Sequence, residues 1–165
     1  MGFEIFFSCY ESGELCDLPL SEVESAFHSA IAYREGTGGR CFWRLEYPVP
    51  NSLDDQRVIS SSGTEYQVQD TEFSEIYMAV RVEVDSIPVT DGFMVAGPAS
   101  HTDFYAALLR LLQTNNSALF WPGGNSLVIG RSSAIEHLPI EMIESLGGPF
   151  LVTEPRQIID RIRAS

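Results

Sequence analysis

Three histidines, His28, His101 and His137, are the residues of this sequence best suited to acid–base or metal chemistry. Imidazole titrates near neutral pH and binds metals in its neutral form, so general acid–base catalysis and most zinc sites use it. No two of the three follow the H-x3-H or H-E-x2-H spacing of a metal site. The remaining candidate for an unrecognised enzyme site is His101 with Asp103 and Tyr105, although a helix-capping role explains His101 more simply.

The segment LFWPGGNSLVIG, residues 119–130, is the nearest approach to a nucleotide-binding motif. A P-loop needs G-x4-G-K-[ST], and this sequence contains no lysine. In a dinucleotide fingerprint a helix begins at the glycines, whereas Gly123 and Gly124 precede the apolar strand pattern of 127–129. Turn-forming residues between two apolar runs instead predict a β-hairpin.

Candidate nucleophiles are equally uninformative. Cys9, Cys16 and Cys41 are odd in number and lack C-x-x-C spacing, which disfavours a disulfide framework and a zinc site. We expect them to be free thiols in a reducing compartment. The G-x-S-x-G motif of serine hydrolases is absent as well. We therefore predict no catalytic residues, no metal and no cofactor, and expect that the protein is not an enzyme.

Charge is the most informative global property. The 165 residues include 23 acids against 10 basic residues, all arginine, for a formal net charge of −13 at pH 7. Such a charge disfavours nucleic acid and anionic membranes as partners. No apolar run approaches the roughly 18 residues of a membrane span, and no basic residue precedes the short apolar run at residues 3–9. We therefore expect a cytoplasmic protein with neither nucleic-acid nor membrane partners.

Acidic residues are concentrated between positions 46 and 91. This region holds ten acids but only Arg57 and Arg81, and three tyrosines lie among them. A solvated acidic face is the simple interpretation. The alternative is a recognition surface, because carboxylates speed encounter with a basic protein while Tyr and Arg are frequent interface anchors. The residues predicted to bind a partner are Asp54, Asp55, Tyr66, Glu72, Glu75, Tyr77, Arg81, Glu83 and Asp85.

Hydrophobic periodicity predicts the elements that position these residues. Strands are expected at 3–9, 41–47, 73–85, 92–98 and 149–154, and hairpins at 54–68 and 119–130. Helices are expected from Ser21 for about 13 residues, over 100–116, from Ser133 to the glycines at 147–148, and around Ile158. Adjacent strands with interspersed helices predict one domain over 1–165, a two-layer α+β sandwich with a mainly antiparallel sheet and about four helices.

A small, acidic α+β domain without a catalytic motif resembles the immunity proteins that protect bacteria from interbacterial toxins. The resemblance implies a cytoplasmic, stoichiometric inhibitor whose carboxylates bind Arg or Lys of a cognate basic toxin, such as a nuclease, and occlude its active site. The use of arginine alone is also typical of a GC-rich bacterial genome. Two other functions stay open: an enzyme with a site near His101, and an acidic secretion chaperone or scaffold that forms a stable homodimer.

Overall fold

A computed structural model describes residues 2–37, 39–49, 57–61, 64–68, 71–83 and 86–165, with backbone alone for 57–61 and 64–68. The strands are β1 (Glu4–Glu11), β2 (Glu14–Leu15), β3 (Leu18–Pro19), β4 (Ile31–Thr37), β5 (Arg40–Pro48), β6 (Arg57–Ser61), β7 (Thr64–Val68), β8 (Thr71–Ala79), β9 (Val89–Thr90), β10 (Gly92–Ala96), β11 (Ser117–Phe120), β12 (Leu127–Ile129) and β13 (Phe150–Leu151). The helices are α1 (Leu20–Phe27), α2 (Thr102–Thr114), a 3₁₀ helix (Ser132–His137), α3 (Ile140–Leu146) and α4 (Pro155–Ala164).

One nine-stranded sheet forms the centre of the fold. Its order is β13-β12-β11-β1-β10-β8-β5-β4, and β2 pairs with β1 beyond the end of β10. Neighbouring strands are antiparallel except for β12 and β13. The protein is therefore an α+β sandwich with a mainly antiparallel sheet, as predicted.

Helices α1, α2 and α4 cover one face of the sheet. Side chains that alternate along the strands, including Phe7 and Trp43, pack there against Phe104 and Leu108 of α2 and Ile158 of α4. All five are at most 1% exposed. Burial of each large apolar side chain stabilises the fold by about 1.5–3 kcal/mol, so this layer contains the main core.

The second face of the sheet is covered at one end. There the 3₁₀ helix and α3 place Ala134, Leu138 and Met142 over Leu127 and Ile129 of β12. From the first half of β1 to β4, no helix among the described residues packs on this side, whereas Tyr10 at the end of β1 is buried in the cluster under the 3₁₀ helix. We call the uncovered region the open face; its side chains include those of Glu4, Phe6, Tyr33, Glu35, Phe42, Arg44, Phe73, Glu75, Tyr77, Met94 and Ala96, and Phe120 lies at its border, packed against the covered cluster.

The predicted first helix is too long. α1 ends at Phe27, and the following segment is strand β4, which pairs with β5 through a tight hairpin. The predicted cap at Ser21 is also wrong, because the N-cap position is Pro19 and no side chain caps the helix. Cross-strand pairing with β5 outweighs the local helical pattern, as tertiary context commonly does.

The predicted strand over 73–85 stops early, at Ala79. Its pairing with β5 ends where Ala79 meets Arg40, the first residue of β5. Val82, expected to face a core, is 66% exposed. The alternating pattern after Ala79 therefore does not mark one buried face, because it extends beyond the partner strand.

The predicted helix from Ser133 is divided in two. Pro139 cannot continue a helix, and Leu138 before it is extended, with ψ 144°. α3 ends at Gly147, whose φ of 72° is a conformation that glycine adopts readily. The terminal glycine was correctly predicted, but the proline boundary was missed.

The two predicted hairpins are confirmed. At 54–68, β6 pairs with β7 from Arg57 opposite Val68 to Ser61 opposite Thr64, and the residues between the two strands lie outside the described residues. At 119–130, β11 pairs with β12 in antiparallel register. The glycines at 123–124 therefore lie in a hairpin turn, as the turn chemistry predicts.

Candidate functional site

His101, the sequence candidate for acid–base chemistry, is a helix cap. It occupies the N-cap of α2, where its Nδ1 accepts a hydrogen bond from the backbone N–H of Asp103 at 3.1 Å. Its ring stacks on Tyr47, with centroids 5.3 Å apart. Tyr105 is buried, which raises the pKa of its phenol above the ordinary value. The imidazole thus has the helix-capping role that the sequence favoured.

The other histidine and cysteine contacts are also structural. Nδ1 of His137 accepts a hydrogen bond from the backbone N–H of Ser12 at 3.1 Å, which fixes the β1–β2 turn. Cys9 is buried, and burial raises the pKa of its thiol to about 12. Such a thiol stays protonated at neutral pH and is a poor nucleophile. Within the described ranges, no three metal-ligating side chains are close enough to hold an ion.

The structure separates the acidic residues predicted to form one surface. Asp54, Asp55 and Asp85 lie outside the described residues, and Tyr66 lies on β7, for which the backbone alone is described. Glu72 lies on the helix-covered side of β8 and accepts a hydrogen bond from the backbone N–H of Ser100 at 2.9 Å. Glu72 therefore does not share a face with Glu75.

Arg81 and Glu83 lie in the loop after β8. Arg81 forms an ion pair with Asp17 and an isolated β-bridge with Val89. The backbone carbonyl of Glu83 accepts hydrogen bonds from the N–H and hydroxyl of Ser86. Of the predicted surface residues whose side chains are described, Glu75 and Tyr77 lie on the open face.

One register position forms a continuous apolar row across the open face. Paired residues of neighbouring strands project from the same side of a sheet, so their side chains become neighbours. The Phe42 and Tyr77 ring centroids are 5.1 Å apart, and those of Phe6 and Phe120 are 5.5 Å apart. In strand order, the row comprises Phe42, Tyr77, Met94 and Phe6; Glu35 flanks it on β4, and Phe120 flanks it at the covered end.

A second row, two residues along each strand, is polar. It comprises Tyr33, Arg44, Glu75, Ala96 and Glu4. Within this row Arg44 and Glu75 are directly opposite each other, as are Tyr33 and Arg44. The open face therefore combines an aromatic band with charged groups of both signs.

Tyrosine and glutamate side chains form two similar pairs on this face. The Tyr77 hydroxyl donates to Glu75 Oε2 at 2.7 Å, and this bond raises the pKa of Tyr77 above its ordinary value. The Tyr33 hydroxyl lies 3.5 Å from Glu35 Oε2. Phe42 lies between the pairs, with its ring centroid 6.2 Å from that of Tyr33. Each carboxylate is positioned by a phenol and keeps further acceptor capacity.

Comparison with known proteins gives no relative. No protein-family model, curated protein or solved structure matches the chain significantly. Nor is any helix in the described part of the chain long and apolar enough to cross a membrane. The open face is the candidate site that the described residues offer.

Most residues of this face were not predicted from the sequence, among them Tyr33, Glu35 and Phe42. Tyr33 fell at the end of the predicted first helix and Glu35 in the turn after it, so their strand neighbours could not be identified. Phe42 could have been found, because it alternates with the buried Trp43 and Leu45 along CFWRLEY. Successive side chains of a strand point to opposite faces of the sheet, so Phe42 must face away from the core when Trp43 faces it.

Proposed function

We propose that the protein is a stoichiometric inhibitor, an immunity protein that binds and neutralises a basic bacterial toxin through the open face. One observation carries this proposal: an aromatic row lies uncovered at the centre of an antiparallel sheet, beside the carboxylates of Glu35 and Glu75. Large exposed apolar patches on a soluble domain mark interaction sites, and aromatic side chains are the usual anchors of protein interfaces.

Rigidity of the surface supports a tight complex. The side chains of Phe42 and Tyr77 project from paired central strands and already contact each other. A preformed surface loses little conformational freedom on binding, so more of the contact free energy appears as affinity. The preformed open face can therefore bind a protein partner more tightly than a mobile loop could.

Charge supports a basic partner. The net charge of −13 accelerates encounter with a cationic protein and suppresses binding to acidic ones. A nuclease must attract a phosphate backbone, so it presents Arg and Lys around its active site. An acidic protein that binds those cations occupies the surface that the nucleic acid needs, which explains inhibition without catalysis.

Affinity capture with three matched baits tests the proposal. The baits are the wild-type protein, a double variant Glu75→Lys with Tyr77→Ala, and the control Glu141→Lys on α3 at the covered end of the sheet. We expect wild type and control to retain one basic protein in equal amount to the bait, and the double variant to lose it. The complex should weaken in about 1 M salt, where the Debye length is about 3 Å.

Neutralisation completes the test. The captured protein, expressed alone, should be toxic, and co-expression with wild type or Glu141→Lys should restore growth. Co-expression with the double variant should not. Capture that is equal for all three baits, or a captured protein without toxicity, contradicts inhibition through the open face.

A further inference from the structure

Arg34 shows how this chain holds a guanidinium group. The group lies over the Trp43 ring, 5.1 Å from its centroid, and Nη1 is 2.9 Å from Glu24 Oε1. The cation is thus stabilised by an aromatic face and by a carboxylate at the same time.

Arg44 on the open face repeats the arrangement. Its guanidinium lies 4.0 Å from the Phe73 ring centroid, and Nε is 3.5 Å from Glu46 Oε1. Although Glu75 is directly opposite on β8, Arg44 forms its ion pair with Glu46 along its own strand. The Glu75 carboxylate instead accepts the hydrogen bond from the Tyr77 hydroxyl.

Glu75 and Tyr77 form a third aromatic–carboxylate pair. Their side chains are joined by the 2.7 Å hydrogen bond, and Phe42 adds a second ring 5.1 Å from that of Tyr77. Among the side chains that the structure describes, no arginine or histidine lies within 4.0 Å of the Glu75 carboxylate. Tyr77 is 40% exposed, so its ring is accessible from solvent.

We infer that Glu75, Tyr77 and Phe42 form the receptor for an arginine side chain of the partner protein. The guanidinium stacks on the Tyr77 ring and donates to the Glu75 carboxylate, as Arg34 does at Trp43 and Glu24. Arginine fits better than lysine, because the planar guanidinium can stack its face on a ring while its N–H groups donate from its edge. The lysine ammonium is a strongly hydrated point charge. This inference rests on the proposed function and specifies which partner chemistry the open face recognises.

An NMR titration of the isotope-labelled protein tests the receptor without any partner. The probe is N-acetyl-arginine amide, and the matched neutral probe is N-acetyl-citrulline amide, which has nearly the same shape. At constant ionic strength we expect saturable, millimolar binding of the arginine probe, with the largest shifts at Phe42, Glu75 and Tyr77. The citrulline probe should bind at least about tenfold more weakly, because it lacks the charge-assisted hydrogen bond.

Three variants assign the effect to the receptor. Glu75→Gln should weaken binding of the arginine probe about tenfold, and Glu144→Gln on α3 should not change it. Tyr77→Phe keeps the ring and should retain most of the binding, unlike Tyr77→Ala. Equal binding of both probes, or an unchanged affinity in Glu75→Gln, overturns the inference.

The two proposals fail in different ways. A negative titration rejects the arginine receptor but leaves the capture result unaffected, since a partner could use the aromatic row in another manner. Capture that is insensitive to the open-face variant rejects the proposed binding surface, whatever the titration shows.

Discussion

Phe42 and Tyr77 lie opposite each other on adjacent central strands, with ring centroids 5.1 Å apart, in a part of the sheet's second face that no described helix covers. Side chains of this size normally bury their rings against a second layer. On the opposite side of the same strands, Trp43 and Ile76 do so completely. The contrast between the two faces of β5 and β8 is the basis of the functional argument.

Truncation of Tyr77 should separate binding from stability. Tyr77→Ala removes a half-exposed ring at the centre of the proposed interface, so the complex should lose about 2 kcal/mol, or roughly thirtyfold in Kd. The free energy of unfolding should change by less than about 1 kcal/mol, since the side chain is not in the core. Calorimetric titration with the captured partner and urea unfolding measure the two quantities. A large loss of stability with unchanged affinity contradicts the assignment.

Gly92 should tolerate no side chain. A Cβ at this position would overlap the carbonyl oxygen of Phe7 on the paired strand β1. Gly92→Ala must displace that backbone and should destabilise the fold by about 3 kcal/mol. Gly124→Ala is the matched control, because a Cβ there has no heavy atom within 4 Å. Urea unfolding should show a lower midpoint for the first variant alone; similar midpoints would contradict the β1–β10 approach.

The cap at His101 gives a graded prediction. His101→Ala removes the acceptor for the Asp103 N–H and should cost about 1 kcal/mol, whereas His101→Asn supplies a preferred capping oxygen and should recover most of it. Thermal unfolding of the three proteins measures the differences. If the captured toxin is still neutralised by both variants, His101 has no role beyond the fold; loss of neutralisation at unchanged stability would contradict the structural role.

Burial of Cys9 predicts a dependence of stability on alkaline pH. Burial raises the folded pKa to about 12 from the ordinary value of 9.0, so the folded state keeps the thiol proton that the unfolded state releases. This contribution is fully present below pH 9.0 and is lost as the pH rises toward about 12. Cys9→Ala should therefore lose less stability than wild type between these values. Parallel losses, measured by urea unfolding, would show that Cys9 does not titrate in this way.

Local patterns were sufficient for elements whose partners are close in sequence. The turn residues between Leu119 and Leu127 predict the β11–β12 hairpin, and the apolar spacing from Phe104 to Leu112 predicts α2. These predictions succeed because the local sequence of each element includes the residues that end it or turn the chain.

Long-range pairing explains the errors. The segment after Phe27 has apolar residues at helical spacing, yet its pairing with β5 makes it a strand. Arg81 and Val82 continue the alternation of β8, but the strand ends where β5 has no further residue to pair with. A single sequence contains the pattern and not the partner, so the end of β8 and the edge strand β4 could not be predicted.

The candidate site was predictable only in part. Glu75 and Tyr77 were identified from charge and alternation, and both lie on the open face. Glu72 has the opposite parity along β8 and lies on the other side, which the alternation itself could have indicated. Tyr33 could not be placed without the β4–β5 pairing.

Carboxylate footprinting tests the central claim most directly. Carbodiimide labelling of the protein, free and in complex with the captured partner, reports which glutamates the partner covers. If the open face is the binding surface, labelling of Glu35 and Glu75 should fall several-fold in the complex, while Glu14 on β2 and Glu141 on α3 should react equally in both states. Unchanged labelling of Glu35 and Glu75, with protection of Glu14 or Glu141, would contradict the assignment of the open face as the partner-binding surface.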